Sequence, residues 1–127
     1  MISIGTDIVK VSRIKALIDQ KEEKFLNKIF TKEEILYCNA YPNPEVHFSG
    51  KYAAKEAVKK ALLSNGLIEK ISLKNIKILN KDNKVPYVVI NNLSNLNYNV
   101  SISHEKEYAI AFVVIENDTC TYKRTSL

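Results

Sequence analysis

The two halves of this chain carry different periodicities, and that split constrains the fold more than any other feature. Over residues 8–29 apolar side chains recur at helical spacing, with Val11, Ile14, Ile18, Phe25 and Ile29 on one face. Thr31-Lys32-Glu33-Glu34 is a Thr-x-x-Glu capping box that opens a second helix running to residue 40. Tyr41-Pro42-Asn43-Pro44 stops it. A third helix is expected over residues 48–63, rich in alanine, with Asn65-Gly66 as its C-terminal stop. After that the pattern changes to short strand-like runs. Residues 76–79 and 85–90 flank Lys81-Asp82-Asn83-Lys84 and read as a hairpin. Residues 91–97 are rich in asparagine and read as a loop. Residues 99–103 and 108–115 form a second strand pair around His104-Glu105-Lys106-Glu107, and a short strand at residues 2–6 precedes the first helix. Helices early and strands late predict an α+β class.

With 127 residues and 46% hydrophobic content, one domain can bury roughly two-thirds of its unfolded surface without a disulfide or metal staple. The expected domain covers residues 1–116, followed by a polar tail at 117–127. Cys38 and Cys120 lie far apart and form no CxxC pair, so free thiols and a soluble, cytoplasmic protein are the default. No apolar run approaches the roughly 20 residues of a membrane span. The formal net charge is +5, which favours an anionic partner: nucleic acid, an acidic protein or a phosphorylated small molecule. Seventeen of the nineteen basic residues are lysine, a composition suited to diffuse attraction more than to the bidentate base reading that arginine performs. Nucleic acid is disfavoured on that ground.

Single residues stay open on their own evidence. Asp7, at the expected strand-to-helix junction, is either a helix N-cap or a metal ligand, with Gly5 leaving room for a ligand at the backbone. Glu56, four residues before Lys60, is either one half of a solvated ion pair or a ligand flanked by the small Ala53, Ala54 and Ala57. Lys51, Lys55, Lys59 and Lys60 are either a solvated face or an anion site. His104 closes a strand before an acidic turn, a common place for a surface histidine, and His47 after the proline loop has still less to single it out.

The order of these pieces is more informative than any one of them. A strand with Gly-Thr-Asp, then Phe30-Thr31-Lys32-Glu33-Glu34, then Lys51-Tyr52-Ala53-Ala54-Lys55-Glu56-Ala57, then Ser101-Ile102-Ser103-His104 occur in sequence. In this the chain resembles the holo-acyl-carrier-protein synthases, small bacterial phosphopantetheinyl transferases, over about residues 1–116. The resemblance implies that a carrier-protein serine attacks the β-phosphate of coenzyme A, accepts the 4′-phosphopantetheine arm and releases adenosine 3′,5′-bisphosphate, in support of fatty acid biosynthesis. It also implies a magnesium ion held by Asp7 and Glu56. Lys55 and Lys60 match basic positions near the coenzyme A phosphates, and Lys60 is positioned to stabilise the leaving group. His104 matches a residue close to the site, and the proton acceptor is left open among a metal-activated water, Glu56 and another side chain.

Three departures from the family pattern bear on phosphate binding. Lys51 stands where the family commonly has arginine. The glycine-rich stretch after the third helix is reduced to Gly66. The Gly-x-Pro hairpin turn is here Asn83-Lys84-Val85-Pro86, one residue longer. Members of the family are homotrimers with active sites between subunits, which implies that one subunit supplies the Asp7 side and its neighbour the Glu56 side or loops around it. On an unbroken first helix, Lys10, Arg13, Lys21, Lys24 and Lys28 share a stripe with Phe25 and Leu17 at its margin. The resemblance makes that stripe a docking surface for the acidic acyl carrier protein, since Arg13 matches an arginine after the Gly-x-Asp element. The rival classes are a basic nucleic-acid-binding module and a non-catalytic interaction module. The first leaves Asp7 and Glu56 unemployed, and the second explains the lysine faces but not the ordered motifs.

Overall fold

The computed structural model describes residues 1–117; the expected tail, apart from Asn117, and Cys120 lie outside the described residues. In chain order the elements are β1 (Ile2–Lys10), α1 (Val11–Lys21), α2 (Glu23–Ile29), α3 (Lys32–Asn39), α4 (Pro44–Ser64), a 3-10 turn (Leu73–Asn75), β2 (Lys77–Asn80), β3 (Pro86–Val89), β4 (Leu96–His104) and β5 (Tyr108–Asn117). An antiparallel sheet of order β1-β5-β4 carries the molecule, with β2 and β3 forming a separate hairpin. The α+β class stands.

Helix α4 lies across the inner face of the three-stranded sheet. Its small residues Ala53, Ala54, Ala57 and Ala61, with Val58 and Leu62, are fully buried against a cluster that includes Val9, Ala111, Val113 and Ile115. Gly5 sets how closely β1 approaches: a Cβ there would lie 1.9 Å from the Ala57 carbonyl oxygen. The room at Gly5 is therefore filled by the α4 backbone, not by a ligand. The alanines close the same contact from the helix side.

The first helix begins later than its periodicity predicts, and it is broken. Residues 8–10 continue β1, pairing in register from Ile2↔Glu116 to Lys10↔Tyr108. Here the sheet ladder overrides the helical pattern, because Val9 reaches the core only by alternation while Ile8 stays 63% exposed. The Val11 N–H then bonds to the Glu107 carbonyl at 2.8 Å, tying α1 to the β4–β5 turn. At Glu22 the chain takes φ 48° and ψ −125°, which ends α1 and starts α2. The predicted basic stripe is thus not one helix face. Lys10 belongs to β1, Arg13 and Lys21 to α1, and Lys24, Phe25 and Lys28 to α2.

The outer face of the sheet is apolar and open. Ile2, Ile4 and Ile8 from β1 and Tyr108, Ile110 and Phe112 from β5 are all more than one-third exposed. No helix among the described residues is long and apolar enough to cross a membrane.

Candidate active site

Two rows of side chains on α4, each at four-residue spacing, organise the functional surface. The first is Tyr52, Glu56 and Lys60, facing β1 and α1. Lys60 Nζ donates to Asp7 Oδ1 at 3.0 Å and to the Thr6 carbonyl at 3.1 Å. Asp7 is mostly covered (15% exposed), whereas the Lys60 side chain is 56% exposed. Lys60 thus pairs with Asp7 rather than with Glu56, the ion-pair reading left open for that residue, because close packing of β1 on α4 brings Asp7 within reach. Asp7 caps no helix: it sits inside β1 opposite Ala111, and Lys10 occupies the N-cap of α1.

Tyr52 joins the acids to α1. The Arg13 guanidinium lies 5.9 Å from its ring centroid. Burial raises the Tyr52 phenol above its ordinary range, the Glu56 and Asp7 charges add to that, and Arg13 opposes them. Asp7 and Glu56 therefore sit on packed elements of one chain, which corrects the expectation that neighbouring subunits supply the two acids separately and leaves to a neighbour only loops around them. Magnesium takes one or two carboxylates and completes its shell with phosphate oxygens and water. Among the described residues no three His, Cys, Asp or Glu side chains gather to hold a metal unaided. Asp7 and Glu56 are the two carboxylates that could hold such a cation, with further oxygens coming from a phosphorylated substrate and water.

The second row is His47 and Lys51, with Lys55 one turn further on in the core. His47 and Lys51 line a cavity of about 250 Å³ with Tyr37, Tyr41, Gly50, Asn80, Lys84, Pro86, Ile102 and His104. Lys51 is nearly covered. It donates to the Ile78 carbonyl and to Asn80 Oδ1, and its ammonium stands 4.7 Å from the Tyr37 ring centroid. Burial pushes the Tyr37 phenol up to about 12, with the hydrogen bond to Tyr41 adding to the shift.

Lys55 departs from its predicted place. It is fully buried, paired with Glu34 at 2.9 Å and bonded to the Leu73 and Ile76 carbonyls. The α3 capping box supplies that partner, so Lys55 is a core cation turned away from the cavity. Gly66, with φ 66° and no atom within 4 Å of a built Cβ, lies beyond the C-terminal end of α4, about 20 Å along the helix from Lys51. Of the residues expected at coenzyme A, the cavity gathers Lys51, Pro86 and His104, while Lys60 stands with Asp7. Sequence reading assigns no site role to Tyr37, Tyr41 or Tyr52 and gives His47 little weight. Four-residue spacing from Lys51 and Glu56 was the available signal for His47 and Tyr52.

The family model for the 4′-phosphopantetheinyl transferase superfamily matches residues 3–113. The chain belongs to that superfamily. Its relatives within it include the holo-[acyl-carrier-protein] synthase of Thermodesulfovibrio yellowstonii, 46% identical over 88% of this chain and 96% of that protein. Among solved members, the Bacillus anthracis holo-(acyl-carrier-protein) synthase in complex with CoA (3′,5′-ADP) is 32% identical with a TM-score of 0.77, over 91% of this chain and 96% of that one. The Helicobacter pylori enzyme in complex with coenzyme A is 31% identical with the same TM-score, over 89% and 99%.

Proposed function

We propose that this chain transfers the 4′-phosphopantetheine arm of coenzyme A to a serine of apo-acyl carrier protein, giving holo-acyl carrier protein and adenosine 3′,5′-bisphosphate. The observation that carries the reading is the Asp7–Lys60 contact at 3.0 Å, with Glu56 one helical turn from Lys60. Two acids and one exposed ammonium on a single surface match what a pyrophosphate needs. A magnesium ion held by Asp7 and Glu56 would neutralise phosphate charge and orient attack. Lys60, open to solvent, offsets charge developing on the leaving bisphosphate. Lys51, Pro86 and His104 are proposed to hold the nucleotide end in the cavity. The coenzyme A complexes of the Bacillus anthracis and Helicobacter pylori relatives support that substrate.

Arg13, beside Tyr52 at the edge of the acids, is proposed to meet the acidic carrier protein, with Lys21, Lys24, Phe25 and Lys28 extending the contact and Lys10 near it. The broken helix divides this surface in two, so charge steers encounter from both segments rather than from one stripe. The open apolar sheet face supports a homotrimer with active sites completed between subunits. A native mass equal to one 14.5 kDa chain would remove that assembly. Cytoplasmic location and service to fatty acid biosynthesis follow from the proposed substrates.

Steady-state kinetics separate the roles. Lys60→Ala should lower kcat by about a hundredfold while weakening coenzyme A binding far less. Charge reversal of Arg13 and Lys24 to Glu should raise KM for the carrier protein and spare that for coenzyme A, with added salt acting the same way on the wild type. A Lys60 effect confined to binding would make it a substrate anchor. Equal losses for both substrates would remove docking from α1 and α2.

A further inference from the structure

The cavity at the start of α4, proposed above to hold the nucleotide end through Lys51, Pro86 and His104, also contains His47, which the transferase reading does not employ. The His47 ring stacks on Tyr41 at 3.8 Å between centroids and 21° between planes. The His104 ring meets it edge-on at 5.3 Å. Stacking on Tyr41 fixes the plane of His47, and Gly50 lets β4 approach: a Cβ there would lie 3.0 Å from Ile102 Cγ2 and 3.9 Å from His104 Cδ2. Lys51 and Lys84 complete the lining, and no carboxylate is among the described residues that form it. We propose that His47 makes this nucleotide end proton-linked, so that a phosphate monoester seated beside it, the 3′-phosphate of coenzyme A, draws a proton onto His47.

This rests on the transferase reading for the identity of the ligand and goes beyond it in the protonation it assigns. Around His47 the charged and titratable groups are His104 from β4, Lys51 and Glu45 from α4, Lys84 from the β2–β3 turn, and Tyr41 just past α3. Burial holds the imidazole below its ordinary value of 6.5. His104, Lys51 and Lys84 push the same way, and Glu45 alone opposes them. That surrounding keeps His47 neutral near pH 7. A phosphate monoester brings a charge of about −1.5 to −2 and reverses that field, which favours the imidazolium. Its proton comes from solvent. Because the bound state holds more protons than the free state, affinity falls as pH rises, by at most about tenfold per pH unit for one proton.

Calorimetry in two buffers of different ionisation enthalpy, with magnesium present at about pH 7.5 where the monoester is already mostly ionised, counts the protons directly. His47→Phe keeps a ring against Tyr41 without a titratable nitrogen, and His47→Gln serves if the larger apolar ring disturbs folding. Wild type should take up protons on binding coenzyme A, and its affinity should fall about tenfold between about pH 6.5 and 8.5. Either variant should lose most of the uptake and flatten that dependence. For 3′-dephospho-coenzyme A, which lacks the monoester, wild type and variant should behave alike. Equal proton uptake by wild type and variant, or uptake that persists with the dephospho ligand, would overturn the assignment while leaving the transferase reading in place. Failure of wild type to bind coenzyme A at all would contradict that reading itself.

Discussion

Glu34→Gln should lower folding stability by about 3–5 kcal/mol, read as a reduced midpoint of urea unfolding. Glu34 and Lys55 are both 0% exposed and pair at 2.9 Å. The carboxylate also accepts from the Thr31 N–H at 2.8 Å and the Ile78 N–H at 2.7 Å. Lys55 in turn serves the carbonyls of Leu73 and Ile76. One ion pair therefore pins the start of α3, the middle of α4 and the beginning of β2 to each other. Neutralising Glu34 leaves an ammonium in the core without a counter-charge, and burial already drives Lys55 below its ordinary value. Removing both charges in Glu34→Met with Lys55→Met should destabilise less than the sum of the singles. It should not restore the wild type, because four backbone groups lose their partners. A Glu34→Gln loss under about 1 kcal/mol would show the pair to be marginal. Since the Ile78 carbonyl also holds Lys51, the damage should reach the cavity.

Asp7→Asn and Glu56→Gln should each reduce transfer by about a hundredfold or more with magnesium present, since a metal ion on a phosphoryl group supplies several kcal/mol of transition-state stabilisation. The amides keep size and hydrogen-bonding capacity but lose the charge that a hard cation requires. Stability should change by less than about 1 kcal/mol in Asp7→Asn, because Lys60 is more than half exposed and water takes over its solvation. The two readouts together separate a ligand from a scaffold residue. Near-normal turnover by either variant would remove it from the metal, and lost turnover with lost stability would make it structural.

Much of this arrangement was legible because it is local. The Thr31–Glu34 capping box is written in four residues, and both of its reciprocal hydrogen bonds are present. The alanine-rich α4, the hairpin at residues 77–89 and the β4–β5 pair likewise declare themselves through spacing and turn chemistry. What was not legible depends on contacts distant in sequence. Residues 8–10 fit a helix or a strand by periodicity, and pairing with Tyr108, Ala109 and Ile110 decides for the strand. Nothing in residues 20–24 marks the break at Glu22, a non-glycine residue with positive φ. Lys55 has the same local setting as Lys51 and Lys59, and only the arrival of Glu34 from α3 makes it a core residue. His47 gains significance when β4 delivers His104 beside it.

The central claim is tested most directly by the intact mass of an apo-acyl carrier protein after incubation with this chain, coenzyme A and magnesium. The account predicts a gain of one 4′-phosphopantetheine arm on a serine, release of adenosine 3′,5′-bisphosphate in equal amount, and almost no gain with Asp7→Asn. A carrier protein of unchanged mass, under conditions where the wild-type chain binds coenzyme A, would contradict it.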